Sequence, residues 1–163
     1  MNELEPVELQ PIGVIETPFT DREGMPIQPT GARDVRGRIR LLPRLAEAVE
    51  DLEGFSHIIL IYHLHRSSRG PLKVVPFMDE VERGVLSTRS PSRPNPIGLS
   101  TVRLLSVEGT VLEVEGVDML DGTPLLDIKP FVHDVDCPEA ERFGWLEEAR
   151  RRMGEGRSDD RFV

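Results

Sequence analysis

Residues 99–119 read LSTVRLLSVEGTVLEVEGVDM. Apolar residues recur at about every second position across LSTVRLLSV and again across TVLEVEGVDM, and a Glu-Gly step interrupts each run. Such alternation marks strands with one buried face, because successive side chains leave a pleated backbone on opposite sides. Similar short runs, bounded by turn residues, lie outward in both directions. They are PIGVIETPF (11–19), VRGRIRLL (35–42), HIILIYHLH (57–65), KVVPF (73–77), GVLST (84–88) and PLLDIKPF (124–131).

Many short strands with intervening turns point to a barrel or a sandwich, not a parallel α/β sheet. In keeping with that, no G-x-G-x-x-G follows a strand and no G-x-x-x-x-G-K-[ST] occurs, so neither a Rossmann dinucleotide site nor a P-loop is visible. A G-x-S-x-G elbow and an H-E-x-x-H helix are missing as well. Two helices are expected. PRLAEAVEDLEG (43–54) spaces Leu45, Val49 and Leu52 helically between Pro43 and Gly54, and PEAERFGWLEEARRRMGEG (138–156) sets Phe143, Leu146, Ala149 and Met153 along one side. The reading is one domain over residues 1–153, including a C-terminal helix, and a polar tail over 154–163.

The length of 163 residues, with 38% hydrophobic and 30% charged side chains, suits one globular domain. A single cysteine, Cys137, excludes an intrachain disulfide and makes a reducing compartment the expectation. MNELEPVELQ carries acids where a secretory signal would carry positive charge, and no apolar run approaches 18 residues, so a cytoplasmic protein without membrane association is expected. The net charge of −9 argues against nonspecific nucleic-acid binding. Between His63 and Arg103, however, seven basic residues face three acidic ones, a local basic island suited to an anionic ligand.

Four stretches hold side chains able to do chemistry. In HLHR (63–66), His63 and His65 fall on one side of an extended strand; a metal would need a third ligand such as His57 or His133, and no metal site is expected. In DMLDGTPLLDIKP (118–130), Asp118 and Asp121 are possible proton acceptors or counter-ions, and LDGTP is a turn. STRSPSRPNPIG (87–98) has three prolines that narrow the conformations of Ser90, Arg93 and Asn95, giving a stiff frame that loses little entropy when it holds a ligand. GMPIQPTGARD (24–34) reads as a loop presenting Gln28 and Arg33.

The run STRSPSRPNPIGLSTVRLLSVEG, followed by GVDMLDGTPLLDIKPF, closely resembles the hallmark of the TsaA-like (YaeB-like) family. Agreement extends to PIGVIETPF and LEGFSHIILIYHLHR, covering about Pro11 to Phe131. That family includes S-adenosylmethionine-dependent tRNA methyltransferases that modify N6 of threonylcarbamoyladenosine beside the anticodon. The resemblance implies a mainly β fold, a small single β-barrel with one or two flanking helices, and S-adenosylmethionine bound near a homodimer interface. Matched by motif, the cofactor contacts are Pro26, Ile27, Gln28, His65, Arg66, Arg89, Leu99, Leu120, Asp121, Gly122 and Thr123. Ile27 is a departure, since family members usually read PRQ; Arg33 is near enough in sequence to compensate. Longer members also carry a C-terminal extension beyond the length of this sequence.

Methyl transfer from a sulfonium is an in-line displacement that needs neither a metal nor a covalent protein intermediate, so alignment and electrostatics carry most of the acceleration. A nitrogen flanked by a carbonyl is a poor nucleophile until deprotonated, which makes a base useful. Asp118 and His65 are the catalytic candidates. Arg89 and Arg93 could clasp a carboxylate, and Arg93, Asn95 and Lys129 are the candidates for contacting the acceptor. The acceptor expected from the resemblance is tRNA. A small-molecule methyltransferase of the same fold, or a cofactor-binding protein without catalysis, stand as alternatives.

Overall fold

The structure, a computed structural model, describes residues 4–21, 32, 34–76 and 79–148. Its strands are β1 (Gly13–Glu16), β2 (Arg36–Leu41), β3 (His57–His63), β4 (Lys73–Val74), β5 (Arg83–Gly84), β6 (Ile97–Glu108), β7 (Val111–Glu115) and β8 (Thr123–Pro130). Six of them close into a barrel in the order β1-β2-β7-β6-β3-β8, while β4 and β5 form a separate two-stranded sheet. Every pairing is antiparallel. Closure decides for the barrel over the sandwich and leaves the six strands without an unpaired edge.

The alternation that identified the strands also fills the barrel. In β2, Ile39 and Leu41 turn inward while Arg36, Arg38 and Arg40 face solvent, and Ile39 sits opposite Leu112 of β7. Ile15, Ile58, Leu60, Leu112 and Leu125 are fully buried with it. Each such side chain contributes roughly 1.5–3 kcal/mol on removal from water, so the interior is held by aliphatic packing with little aromatic help.

The outward arginines meet acids on neighbouring strands. Arg38 Nε lies 2.6 Å from Glu113 Oε1 and Arg40 Nε 2.6 Å from Glu16 Oε1, while Arg36 and Arg103 approach Glu115 at 3.8 and 3.9 Å. This wall is therefore a charge-compensated ladder.

One helical expectation is corrected. Residues Pro43–Val49 form a 3-10 helix, and a second one covers Leu52–Gly54. The first has no side-chain cap and buries only Val49, and Asp51 then enters the left-handed region at φ 64. Seven residues with one anchor do not offset the cost of nucleating an α-helix, so tighter i to i+3 bonds such as Leu45 N–H to the Leu42 carbonyl take over. Residues 138–143 are irregular, and helical backbone appears only at 146–148, beyond which the expected C-terminal helix lies outside the described residues. A single turn, α1 (His133–Asp136), precedes this segment. GVLST is likewise mostly not a strand, because Val85–Ser87 is a 3-10 turn that buries Val85. Trp145 donates from Nε1 to the Ser87 carbonyl at 2.9 Å, and Arg83 lies over its ring, so the C-terminal segment is fastened where the proline-rich stretch begins.

Candidate functional site

The expected site residues come from distant stretches, and the barrel brings most of them to one end. That mouth is formed by the C-terminal ends of β1 and β3, the N-terminal ends of β6 and β8, and the link from β7 to β8. LDGT closes onto the exit of β1. Asp121 accepts from Thr17 N–H at 3.0 Å and donates its own N–H to the Phe19 carbonyl at 2.7 Å, while Gly122 N–H reaches the Ile15 carbonyl at 3.0 Å. Gly122 has φ 73, a conformation that a Cβ would strain, which is why the turn needs glycine there. Thr123 is buried and donates to the Leu120 carbonyl at 2.6 Å.

β3 ends at His63, so His65 lies in the following turn and strand alternation does not relate the two histidines. His65 Nδ1 instead stands 3.5 Å from Thr123 Oγ1. That hydroxyl gives its proton to the Leu120 carbonyl, so toward His65 it offers only its oxygen. Burial lowers the His65 pKa below the ordinary imidazole value, with Arg66 and His63 pushing the same way, so the ring is neutral at neutral pH. Arg66 donates to the Thr20 carbonyl at 3.0 Å, tying HLHR to the segment that leads toward PIQ. Pro26, Ile27, Gln28 and Arg33 themselves lie outside the described residues. His57 is six residues back along β3, roughly 20 Å from His63 by strand rise, and His133 follows the far end of β8. Among the described residues, no three His, Cys, Asp or Glu side chains converge as a metal site.

The proline-rich stretch is stitched to itself and to the residue that follows β3. Thr88 is buried and donates to the Val85 carbonyl, Ser90 N–H donates to Thr88 Oγ1, and Arg93 Nη1 donates to the Thr88 carbonyl at 3.2 Å. Leu64 N–H meets the Pro96 carbonyl at 2.8 Å. Arg93 thus spends one guanidinium nitrogen on bracing the frame. Arg89 and Asn95 are exposed, and the Arg89 charge has only a small lowering influence on the Tyr62 phenol.

β6 reverses its polarity at this end. Val102 and Leu104 face the core, and by alternation so do Gly98 and Ser100, whereas Ile97 and Leu99 face outward and are 41% and 54% exposed. Leu99 pairs with Ile61 on the outer wall and does not line the interior. Lys129 pairs with Ile59 toward the far end of β8 and holds Asp127 at 2.9 Å, so it is not brought to the mouth. A shallow depression of about 330 Å³ lies beside the exit of β1, lined by Glu16, Thr17 and Pro18 together with Arg36, Arg38 and Glu113, where Arg38 is paired with Glu113 and Glu16 with Arg40.

Sequence reasoning missed what occupies the small inward positions. Tyr62, 5% exposed, shares hydrogen-bond distance with Ser100 Oγ at 2.9 Å, and Ser100 donates to Asp118 Oδ1 at 2.8 Å. A Cβ on Gly98 would overlap the Tyr62 ring. Burial, with the Asp118 charge adding to it, pushes the Tyr62 pKa up to about 12. The available signal was the Gly-x-Ser step at inward register beside apolar outward residues. Such a conflict between local pattern and fold is expected where a site is built.

Known proteins share this architecture. A family model described as the tRNA-methyltransferase O N-terminal domain matches residues 14–137. A protein from Pyrococcus abyssi named as a probable S-adenosyl-L-methionine-binding protein is 48% identical over 153 residues, covering 94% of this chain and 83% of that protein. The human tRNA (adenine(37)-N6)-methyltransferase is 36% identical over 137 residues, covering 80% of this chain but 31% of the human protein. The crystal structure of TrmO from Pseudomonas aeruginosa superposes with a TM-score of 0.73 at 38% identity, covering 89% of this chain and 63% of that one. The chain thus spans under a third of the human enzyme and under two thirds of the solved TrmO. Among the described residues, no helix is long and apolar enough to cross a membrane.

Proposed function

We propose, from the premise that the chain belongs to the tRNA-methyltransferase O N-terminal domain family, that it uses S-adenosylmethionine to methylate N6 of threonylcarbamoyladenosine beside the anticodon of tRNA in the cytoplasm. The observation that carries this reading is the convergence at one barrel mouth of HLHR, LDGT, the Arg89 frame and Asp118. The groups present suit the cofactor. An exposed guanidinium matches an amino-acid carboxylate, and the turn at Leu120–Thr123 offers backbone edges to a nucleoside.

When bound, S-adenosylmethionine supplies an electrophilic methyl on a sulfonium. Arg89 then fixes its carboxylate end, and the stiff frame of residues 88–96 keeps that arginine in place. Asp118 receives the proton of the acceptor nitrogen, with neutral His65 the rival for that role. Pro26, Ile27 and Gln28, reached through the segment anchored by Arg66, complete the cofactor contacts in this reading.

A homodimer belongs to the same proposal. Ile61, Ile97 and Leu99 give the outer β3–β6 wall an apolar strip, and a cofactor held between two subunits would account for an outward Leu99 among its contacts. Leu99→Arg is expected to convert a sedimenting dimer to monomer, and an unchanged mass would remove this wall from the interface.

The paired arginine ladder favours a second reading, methylation of a small molecule or cofactor binding without turnover, because it leaves little uncompensated cation for RNA. Labelled methyl transfer to tRNA with and without threonylcarbamoyladenosine separates these readings. Incorporation that requires the modified base is expected, and none with either RNA would reject the tRNA acceptor. Arg89→Ala is expected to weaken S-adenosylmethionine binding roughly tenfold to a hundredfold, the loss of about 1.5–3 kcal/mol for a hydrogen bond to a charged group. Equal dissociation constants by calorimetry would take Arg89 out of the site.

A further inference from the structure

We propose that Tyr62 and Ser100 are positioning residues for Asp118, forming a directed line of hydrogen bonds that fixes one carboxylate oxygen and turns the other toward the methyl acceptor. The inference rests on the methyltransferase reading for its purpose but on geometry for its existence.

The direction of the line follows from proton counting. A carboxylate offers no proton, so the 2.8 Å bond between Ser100 and Asp118 Oδ1 uses the only proton Ser100 has. The Ser100 oxygen must then accept from Tyr62 across 2.9 Å. Tyr62 remains a donor well above neutral pH because burial and the Asp118 charge hold its proton. Asp118 faces it from the β7–β8 link and Arg89 from the proline-rich frame, the two charges that act on this phenol.

The surroundings serve this arrangement. Gly98 leaves the space that the Tyr62 ring occupies, and Ser100 follows it on the same face of β6, so the inverted polarity of the strand end accommodates the line. No described residue hydrogen-bonds the second oxygen of Asp118. In the reaction, the acceptor N–H proton passes to that oxygen as the nitrogen–carbon bond forms. The carbon–sulfur bond breaks with its electron pair left on sulfur, which discharges the sulfonium. Holding the carboxylate on one side supplies orientation, a contribution that depends on tight support from neighbouring groups.

The chain has one tyrosine, so tyrosinate absorbance of the full-length protein reports Tyr62 alone. The parent is expected to ionise far above the ordinary value of about 10, and Asp118→Asn to bring that midpoint down by removing the neighbouring negative charge. A parent midpoint near the ordinary value, or one that Asp118→Asn leaves in place, overturns the line whatever the enzyme does. Activity gives the second measurement. Tyr62→Phe keeps the ring against Gly98 and is expected to lower kcat about tenfold with S-adenosylmethionine affinity within twofold, the effect of one hydrogen bond of about 1.4 kcal/mol. Ser100→Ala, which removes the donor to Asp118, is likewise expected to lower kcat about tenfold with S-adenosylmethionine affinity within twofold, and Ser100→Thr to restore it. Loss of cofactor affinity with kcat retained in Tyr62→Phe would contradict the positioning role. A parent that methylates no tRNA would reject the proposed acceptor, and the tyrosine titration would still decide whether the line exists.

Discussion

Gly98→Val is expected to lower the unfolding free energy by about 2–3 kcal/mol and to abolish methyl transfer, read by denaturant unfolding and by labelled methyl incorporation. The sign is informative. In an ordinary strand, replacing glycine by a β-branched residue stabilises, because glycine loses more backbone freedom on folding and packs no side chain. Here a Cβ at position 98 would overlap the Cε2 and Cζ atoms of Tyr62. The ring is 5% exposed and its hydroxyl is bonded to Ser100, so it has no solvent-facing path of escape. Either the ring leaves the mouth or β3 and β6 part at their ends, and both outcomes exceed the propensity gain. Tyr62→Leu should relieve part of the overlap, so the double variant is expected to be less destabilised than the sum of its singles. A Gly98→Val protein with parental stability would mean that the phenol does not rest on this glycine.

Asp118→Asn is expected to reduce kcat by about 10²–10⁴-fold, the usual worth of a positioned general base, with S-adenosylmethionine affinity within twofold. The substitution preserves shape, and the amide oxygen can still accept from Ser100, so the loss isolates proton acceptance from positioning. His65 is the control. Its ring is neutral and one nitrogen carries a lone pair, but its contact with Thr123 is long at 3.5 Å, whereas Asp118 is held at 2.8 Å. Single-turnover rates at saturating cofactor separate chemistry from binding. If Asp118→Asn keeps the parental rate, the base is either His65 or not required.

The strands were readable because each declares itself locally. The run from Arg36 to Leu41 alternates charge and aliphatic side chains, and the structure uses that alternation for an arginine ladder outside and a core inside. The helices were less readable. Leu45, Val49 and Leu52 have helical spacing, yet spacing does not supply the buried partners that make an α-helix worth nucleating. For the site, family resemblance pointed to HLHR and LDGT, which meet through His65 and Thr123, but strand periodicity misassigned His65 because it does not indicate where a strand ends.

The amino-acid order alone established a β-rich barrel or sandwich, the stiff frame around Arg89, the LDGT turn and the absence of dinucleotide and P-loop signatures, because all of these are encoded within a few neighbouring residues. Closure of the barrel, the outward direction of Leu99 and the meeting of Tyr62, Ser100 and Asp118 required the folded chain. Tyr62 is 38 residues from Ser100, and Ser100 is 18 from Asp118. Their contact depends on the register of β3 against β6 and on the path of the β7–β8 link. At the mouth, the inward positions of β6 are the glycine and the serine while the apolar side chains face out, so local hydrophobicity indicates the wrong face. Pairing along the rest of the strand holds the register and determines which side chains point in.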